Sequence, residues 1–207
     1  MTDETEAERD ARHAEKMRRI QAARAKMMKT KTEEKGLIIV HTGNGKGKSS
    51  SAFGMIMRCV AWQMPCAVVQ FIKGTWETGE KKILRERFAG EVTFVVSGEG
   101  FTWDVQDRQR DIAAARAGWE RAKELIRDPS MRFVLLDEIN IALRYDYLDI
   151  DEVVDFLQTE KPEMTHVCLT GRSARPELIA AADLVTEMTM VKHPFEDGVK
   201  AQKGVEH

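Results

Sequence analysis

One short segment combines glycines, lysines and a hydroxyl residue in an order that suits phosphate binding. Residues 42–49 read TGNGKGKS, and they follow an apolar run and precede a helix-forming segment. Glycines let consecutive backbone N–H groups turn toward one anion, and the helix that follows adds the positive end of its dipole. Lys48 contributes a full positive charge, and Ser49 offers a hydroxyl to a Mg²⁺ ion that bridges two phosphates. The segment therefore predicts a site for a nucleoside triphosphate.

The match to the common P-loop pattern, G-x-x-x-x-G-K-[ST], is partial because Thr42 stands where the first glycine belongs. Two glycines that follow shortly after Thr42 still allow the loop to turn. A loop of this composition that binds nothing is the alternative, and the strand before it and the helix after it argue against that reading. The predicted nucleotide-binding residues of this loop are Gly43, Asn44, Gly45, Lys46, Gly47, Lys48 and Ser49.

A second apolar run, residues 133–136, ends in two acidic residues, Asp137 and Glu138. In P-loop proteins an acid at this place holds Mg²⁺ directly or through water. Neighbouring residues on an extended strand face opposite ways, so we expect one carboxylate to face the metal and the other to support the sheet. Glu138 is predicted to be the closer metal contact, with Asp137 as the rival and Ser49 as the hydroxyl ligand. Ordinary acids at a strand end are the alternative interpretation.

Three more segments carry side chains that suit a large ligand. Phe101 and Trp103 flank one threonine after a glycine-rich stretch, where they would line a flat apolar ligand better than they fill a core. Core packing is the alternative for both aromatics. Lys73 is placed to meet phosphate, and Trp76 is placed to stack on the ligand. Arg172 would bring a guanidinium near the nucleotide, unless it is simply a surface arginine at a helix start.

The elements that must position these residues alternate between strand and helix. Continuous apolar strands between helices indicate an α/β, P-loop NTPase-like fold, with a mostly parallel sheet and helices on both faces. Ligands bind at the carboxyl ends of the strands in such folds. The predicted strands are residues 37–41, 67–72, 92–96, 133–136, 166–170 and 184–188, and the predicted helices are 50–62, 80–88, 106–126, 150–158 and 176–182. The loops predicted to share one rim are 42–49, 73–79, 97–103, 137–140 and 171–175.

The first 34 residues differ from the rest, so we divide the chain into a charged helical arm, 1–34, and an α/β domain, 35–207. Thr5 and Glu8 have the spacing of a capping box, and good helix formers follow. A sparse apolar stripe near helical period consists of Met17, Ile20, Met27 and Met28. The arm is either a solvated tail or a segment that folds over a site or a partner subunit.

Composition excludes several function classes. The chain has 207 residues and a net charge of −2, so no basic field favours nucleic acid. No apolar stretch approaches the ~20 residues that a membrane span needs, and the charged N-terminus is unlike a secretory signal. Three cysteines, Cys59, Cys66 and Cys168, are expected to be buried thiols in a reducing cytoplasm.

Together these segments resemble one family, the P-loop ATP:corrinoid adenosyltransferases of the cobalamin pathway. The resemblance covers the chain from residue 36 onward, and Ser49 and His207 depart from the family's usual threonine and aromatic. The hydroxyl at 49 is kept. The segments that carry the resemblance are TGNGKGKS at 42–49, FIKG at 71–74, GFTW at 100–103, LDEIN at 136–140, TGR at 170–172, HPF at 193–195 and GVKAQKGVE at 198–206.

The resemblance implies transfer of the 5′-deoxyadenosyl group of ATP to Co(I) of a corrinoid, with release of triphosphate. It implies that ATP lies reversed in the loop, so that Lys48 and Mg²⁺ stabilise the departing triphosphate. The cobalt is held by the corrin ring of the substrate. Phe101 and Trp103 are implied to displace the axial ligand of cob(II)alamin, which makes the cobalt easier to reduce. A homodimer is implied as well, and a reduced flavoprotein is the expected electron donor.

Two other functions fit part of the pattern. A P-loop ATPase or small-molecule kinase would release ADP or transfer phosphate, and a nucleotide-gated adaptor would bind ATP without turnover and use its charged arm to hold a partner protein. Neither has an evident use for the aromatic loop with Phe101 and Trp103, which favours the adenosyltransferase.

Overall fold

A computed structural model of the chain describes residues 5–71, 78–97 and 108–206. The chain divides into two compact units, Met1–Glu34 and Lys35–His207. The segment with Lys73 and Trp76 and the aromatic loop with Phe101 and Trp103 lie outside the described residues.

The described residues of the unit Lys35–His207 form a sheet of six parallel strands. Their order across the sheet is β3-β2-β4-β5-β1-β6, and every neighbouring pair is parallel. Since all strands run in one direction, their carboxyl ends share one edge, where the loops after β1, β4 and β5 meet. The predicted parallel sheet is confirmed. The strands are β1 Ile38–Thr42, β2 Cys66–Gln70, β3 Val92–Val96, β4 Phe133–Asp137, β5 His166–Thr170 and β6 Leu184–Glu187.

Helices connect the strands, and those that the sequence predicts agree with the structure to within about two residues at each described end. One α-helix, α5, is not predicted, because its six residues begin directly after β4 without a capping side chain, whereas the equally short α7 begins with Pro176. Ile139 and Asn140 therefore begin a helix instead of belonging to a rim loop. The helices of this unit are α2 Lys48–Ala61, α3 Gly79–Arg87, α4 Arg108–Arg127, α5 Ile139–Arg144, α6 Ile150–Thr159 and α7 Pro176–Ala181, followed by a 3₁₀ helix, Pro194–Asp197.

The sheet is buried on both faces, which explains the continuous apolar runs in the sequence. In β1, Ile38 and Val40 pack into a cluster with side chains of α4, α5, α6 and α7. Ile39 points to the other face and packs with α2 and α3. The predicted helices on both faces are thereby confirmed. The three cysteines are buried free thiols, as expected.

In the unit Met1–Glu34, the part that the structure describes contains one helix, α1, Glu6–Met28. Its N-terminus has the predicted capping box, because the Thr5 hydroxyl accepts from the Glu8 N–H and the Glu8 carboxylate accepts from the Thr5 N–H at 2.9 Å. None of its residues is buried, so the apolar stripe is exposed. Among the described residues, no helix of the chain is long and apolar enough to cross a membrane.

Candidate active site

The glycine-rich loop joins the carboxyl end of β1 to the first turn of α2. Gly47 caps α2 with φ of 108°, a left-handed conformation that side chains with a Cβ rarely adopt. The Gly45 N–H donates to the Met188 carbonyl at 2.7 Å, which anchors the loop to the segment after β6. The helix therefore begins at Lys48, with its free N–H groups directed at the edge of the sheet where ligands bind.

Lys48 is buried, although it carries a charge. Only 7% of the residue is exposed, and its Nζ donates to the Gly45 carbonyl at 2.6 Å, so the side chain curls back along the loop. Burial lowers the pKa of Lys48, the nearby Glu138 raises it, and Arg172 lowers it again. A cation is thus held within the loop that an anionic ligand would occupy.

Asp137, the last residue of β4, is fixed by hydrogen bonds from both sides. The Thr170 hydroxyl donates to its Oδ1 at 2.8 Å, and the Gln70 side-chain amide donates to its Oδ2 at 3.2 Å. The Ser49 hydroxyl is a third partner. Burial raises the pKa of Asp137, and these three hydrogen bonds oppose that effect. Asp137 therefore links the P-loop helix to β4 and its neighbours β2 and β5.

Glu138 does not continue the strand. Its φ of 62° is left-handed, and its N–H donates to the Thr170 hydroxyl at 3.0 Å. The alternation rule for strands thus stops at Asp137, and both acids line the same cleft instead of facing opposite ways. One carboxylate oxygen of Glu138, Oε2, is buried without a hydrogen-bond partner among the described residues. Burial and the neighbouring Asp137 raise the pKa of Glu138 to about 7, against the effect of Lys48 and Arg172.

The P-loop, the acids and Arg172 meet in a single cleft of about 1060 Å³. Of the predicted site residues, it brings together Gly45, Lys46, Gly47, Lys48, Ser49, Asp137, Glu138 and Arg172. Gly43 and Asn44 do not line it. Lys73, Phe101 and Trp103 lie outside the described residues. The cleft also includes apolar surface from Phe53, Ile83, Ile141 and Tyr145, and the C-terminal residues Gly204, Val205 and Glu206.

Several residues that organise the cleft are absent from the sequence-based prediction. Thr170 supports both acids, and its position gives a signal, since it is the polar residue that ends the strand beside β4. His41 lies beneath the loop, with its Nδ1 at 3.1 Å from both the Lys48 carbonyl and the Ser51 hydroxyl. Glu206 forms an ion pair with Lys46. No sequence pattern identifies this last contact, because 160 residues separate its partners.

The described residues contain no group of three or more histidine, cysteine, aspartate or glutamate side chains arranged to hold a metal. A cation at this site would therefore need hydroxyl and ligand oxygens in addition to the acids. This requirement matches Mg²⁺, which keeps several waters and is usually bound through one or two carboxylates plus substrate phosphates.

Comparison with known proteins identifies the family. Residues 34–207 match the family model described as ATP:corrinoid adenosyltransferase BtuR/CobO/CobP. A corrinoid adenosyltransferase from a Sinorhizobium species is 64% identical over 197 residues, which cover 95% of this chain and 92% of that protein. The corresponding protein of Pseudomonas aeruginosa is 53% identical over 199 residues, or 96% and 97% of the two chains. That of Escherichia coli K12 is 42% identical over 198 residues, or 96% and 99%. The chain therefore belongs to the ATP:corrinoid adenosyltransferase family.

Proposed function

We propose that the cleft binds ATP through its triphosphate and presents the ribose C5′ to a corrinoid. The chain is a transferase that moves the adenosyl group of ATP to the cobalt of a corrinoid in cobalamin biosynthesis. The observation that carries our assignment of the site is the burial of Lys48 inside the loop, with Arg172 and the two acids in the same cleft. The lysine and the N–H groups at the start of α2 suit an anionic triphosphate, and the two acids suit the cation that accompanies it.

The residues of the loop act on the leaving group. Co(I) of the substrate supplies the electron pair for the new Co–C5′ bond, and the C5′–O bond breaks with its pair going to the triphosphate. Charge therefore develops on the triphosphate oxygen that departs. Lys48, the N–H groups at the start of α2 and Arg172 are the groups that stabilise this charge. From the family resemblance we infer that the whole triphosphate lies along the loop, with ATP reversed relative to an ordinary P-loop ATPase.

The residues present fit Mg²⁺. Glu138 has a buried carboxylate oxygen that lacks a partner among the described residues, and the Ser49 hydroxyl already contacts Asp137. Ser49, Glu138 and Asp137 would hold the ion, with Glu138 the closer acid. When bound, Mg²⁺ supplies positive charge to the triphosphate oxygens. The hydrogen bonds to Asp137 keep that side chain from turning away from Ser49.

On the corrinoid side we assign Phe101 and Trp103 to the face below the ring, and Lys73 to phosphate. Apolar side chains there exclude water and the axial ligand of cob(II)alamin, and loss of that ligand makes reduction to Co(I) easier. The chemistry of the residue types supports this assignment. The reaction needs no nucleophile from the protein, because the cobalt itself attacks the ribose C5′.

Around this reaction we propose a homodimer that works in the cytoplasm with a reduced flavoprotein as electron donor. The three buried free thiols fit a reducing compartment. The N-terminal arm is assigned to the corrinoid, because an exposed apolar stripe on α1 offers a surface for a large flat ligand.

The test is anaerobic incubation of the protein with Mg-ATP and chemically reduced cobalamin, with the corrinoid spectrum and the phosphate products followed together. A photolabile alkylcobalamin and intact triphosphate in equal amounts are expected. A reaction without the protein is the control for non-enzymatic alkylation. ADP and phosphate with an unchanged corrinoid would contradict the proposal and indicate an ordinary P-loop hydrolase.

A further inference from the structure

Asn140 joins three parts of the cleft with one buried side chain. It lies in the first turn of α5, two residues after Glu138, and none of it is exposed. Its Nδ2 donates to the His41 carbonyl at 3.3 Å and to the Gly171 carbonyl at 3.0 Å. His41 belongs to β1 just before the loop, and Gly171 follows β5. A single amide group thus connects the ends of β1 and β5 to the helix that follows the two acids.

The backbone at Gly171 packs directly against this amide. Gly171 has φ of 130°, and a Cβ there would lie 2.9 Å from the Asn140 Cβ and 3.2 Å from Oε2 of Glu138. Only a glycine can approach so closely. The turn after β5 is therefore fitted to Asn140 and Glu138 at the same time.

The same turn is anchored a second time, three residues later. The Ala174 N–H donates to the Thr42 hydroxyl at 2.9 Å, at the end of β1. Arg172 lies between the two anchored residues, Gly171 and Ala174. Because both ends of this short segment are tied to β1 or to Asn140, the backbone that carries Arg172 has little freedom to move. Arg172 lines the same cleft as Lys48 and Glu138, and it lowers the pKa of both.

We propose that Asn140 is a positioning residue, which holds the Gly171 turn against β1 so that the Arg172 guanidinium faces the triphosphate site. This inference rests on the proposed function, since it assumes that Arg172 meets the triphosphate of ATP. The role requires an amide. Its two N–H hydrogens serve two carbonyl groups, whereas an aspartate would set a carboxylate against both of them.

The test is a double-mutant cycle on ATP use with pre-reduced cobalamin. Asn140→Ala is expected to lower kcat/KM for ATP by roughly 10- to 100-fold, because small misplacements of a binding group cost that much. The KM for the corrinoid should stay within about 2-fold of the wild-type value. In the Arg172→Ala background the same substitution should cost less than about 2-fold, since the group that it positions is already gone.

A matched control separates positioning from loss of stability. Thr165 is buried at the opposite end of the sheet, and its hydroxyl donates to the Met131 carbonyl at 2.9 Å. Thr165→Val also removes a buried hydrogen bond, and it should leave the kinetics with ATP unchanged. If Asn140→Ala fails to fold, Thr42→Val replaces it, because it removes the hydroxyl that anchors the same turn through the Ala174 N–H.

Mg-ATP affinity measured by calorimetry without corrinoid gives a second readout that does not depend on turnover. Asn140→Ala and Arg172→Ala should weaken ATP binding by similar factors. The inference would be overturned if the losses of ATP affinity from the two substitutions multiplied in the double variant. An equal rise in the KM values for ATP and corrinoid in Asn140→Ala would overturn it as well. Either result leaves the proposed function intact, since that function fails only if the wild-type protein forms no alkylcobalamin.

Discussion

At the scale of single residues, the site combines a buried cation with a buried acid of raised pKa. Glu138 raises the pKa of Lys48, Lys48 lowers the pKa of Glu138, and Arg172 lowers both. Neither group would be buried in this way without a partner, because isolated charges are costly to remove from water. Lys48 is therefore available to an anionic ligand, and the Glu138 oxygen that lacks a partner among the described residues is available to a cation.

Replacing Lys48 by alanine should reduce adenosyl transfer at least about 100-fold, because a group aimed at developing charge is lost. The rate is measured from the corrinoid spectrum with pre-reduced cobalamin. Lys192→Ala is the matched control, since this exposed lysine pairs only loosely with Asp197 at 4.0 Å. Near-normal turnover of the Lys48 variant would contradict the assignment of the loop.

Replacing Trp103 by alanine should impair the two corrinoid reactions unequally. With cob(II)alamin and a reductant the rate should fall by more than it does with pre-reduced Co(I), because only the first assay requires displacement of the axial ligand. Both rates are followed spectrophotometrically at the same ATP concentration. Equal losses in the two assays would argue against a role of Trp103 in ligand displacement.

At the scale of elements, glycines in helices have different consequences according to what surrounds them. A Cβ at Gly54 in α2 would contact nothing within 4 Å, whereas one at Gly118 in α4 would lie 2.4 Å from the Ser97 hydroxyl. That hydroxyl already donates to the Ala114 carbonyl at 2.5 Å. α2 therefore has room for a side chain at Gly54, whereas α4 has no room for one at Gly118.

We therefore expect Gly54→Ala to stabilise the protein by about 0.5–1 kcal/mol through higher helix propensity. Gly118→Ala should destabilise it by about 1–3 kcal/mol, because overpacking forces neighbouring atoms to shift. Urea unfolding of both variants beside the wild-type protein measures the two changes. A destabilised Gly54→Ala variant would show that α2 is not packed as described.

The free energy of unfolding depends on pH through His166, the first residue of β5. His166 accepts from the Leu37 N–H through Nδ1 at 3.1 Å, which requires the neutral ring. Burial lowers its pKa, and Arg132 and Lys161 lower it further. The unfolded chain therefore binds a proton more readily, so the stability that the neutral ring contributes is present above about pH 6.5 and is lost as pH falls through the folded pKa.

His166→Asn should show a smaller loss of stability than the wild-type protein between pH 7 and pH 5. The amide oxygen of asparagine can accept the same hydrogen bond but does not titrate in this range. Urea unfolding at each pH gives the comparison. Equal pH dependence in the two proteins would mean that other groups control it.

At the scale of the whole molecule, the cleft lies entirely within the unit Lys35–His207. The first 34 residues form a separate unit whose helix exposes Met17, Ile20, Met27 and Met28. The core of the larger unit does not depend on α1, since both apolar clusters are built from residues after position 35.

Deletion of residues 1–30 should therefore leave Mg-ATP affinity unchanged while it raises the KM for the corrinoid severalfold or more. Calorimetry and steady-state kinetics measure the two properties, and circular dichroism confirms that the shortened chain folds. A full-length variant with Met27 and Met28 changed to serine tests the apolar stripe without shortening the chain. An unchanged rate in both variants would identify the arm as a solvated tail.

The parallel α/β fold, the glycine-rich loop and the pair of acids at the end of β4 could be predicted from the sequence alone. These features are encoded locally, because apolar runs, turn residues and a capping box depend on neighbours in the chain. The order of glycines and lysines likewise predicts a phosphate site without reference to distant residues. The family resemblance rests on the same local motifs in one order.

The contacts that support the site could not be predicted from the sequence, because they form only in the packed sheet. Glu138 leaves the strand in a left-handed turn, Thr170 bonds both acids, and Asn140 reaches carbonyl groups on two other segments. Each of these hydrogen bonds joins residues that are more than 30 positions apart in the chain. The left-handed turn at Glu138 is the one local feature among them. Sequence patterns report local periodicity, whereas such contacts depend on strand order and register, which are settled when the whole sheet packs.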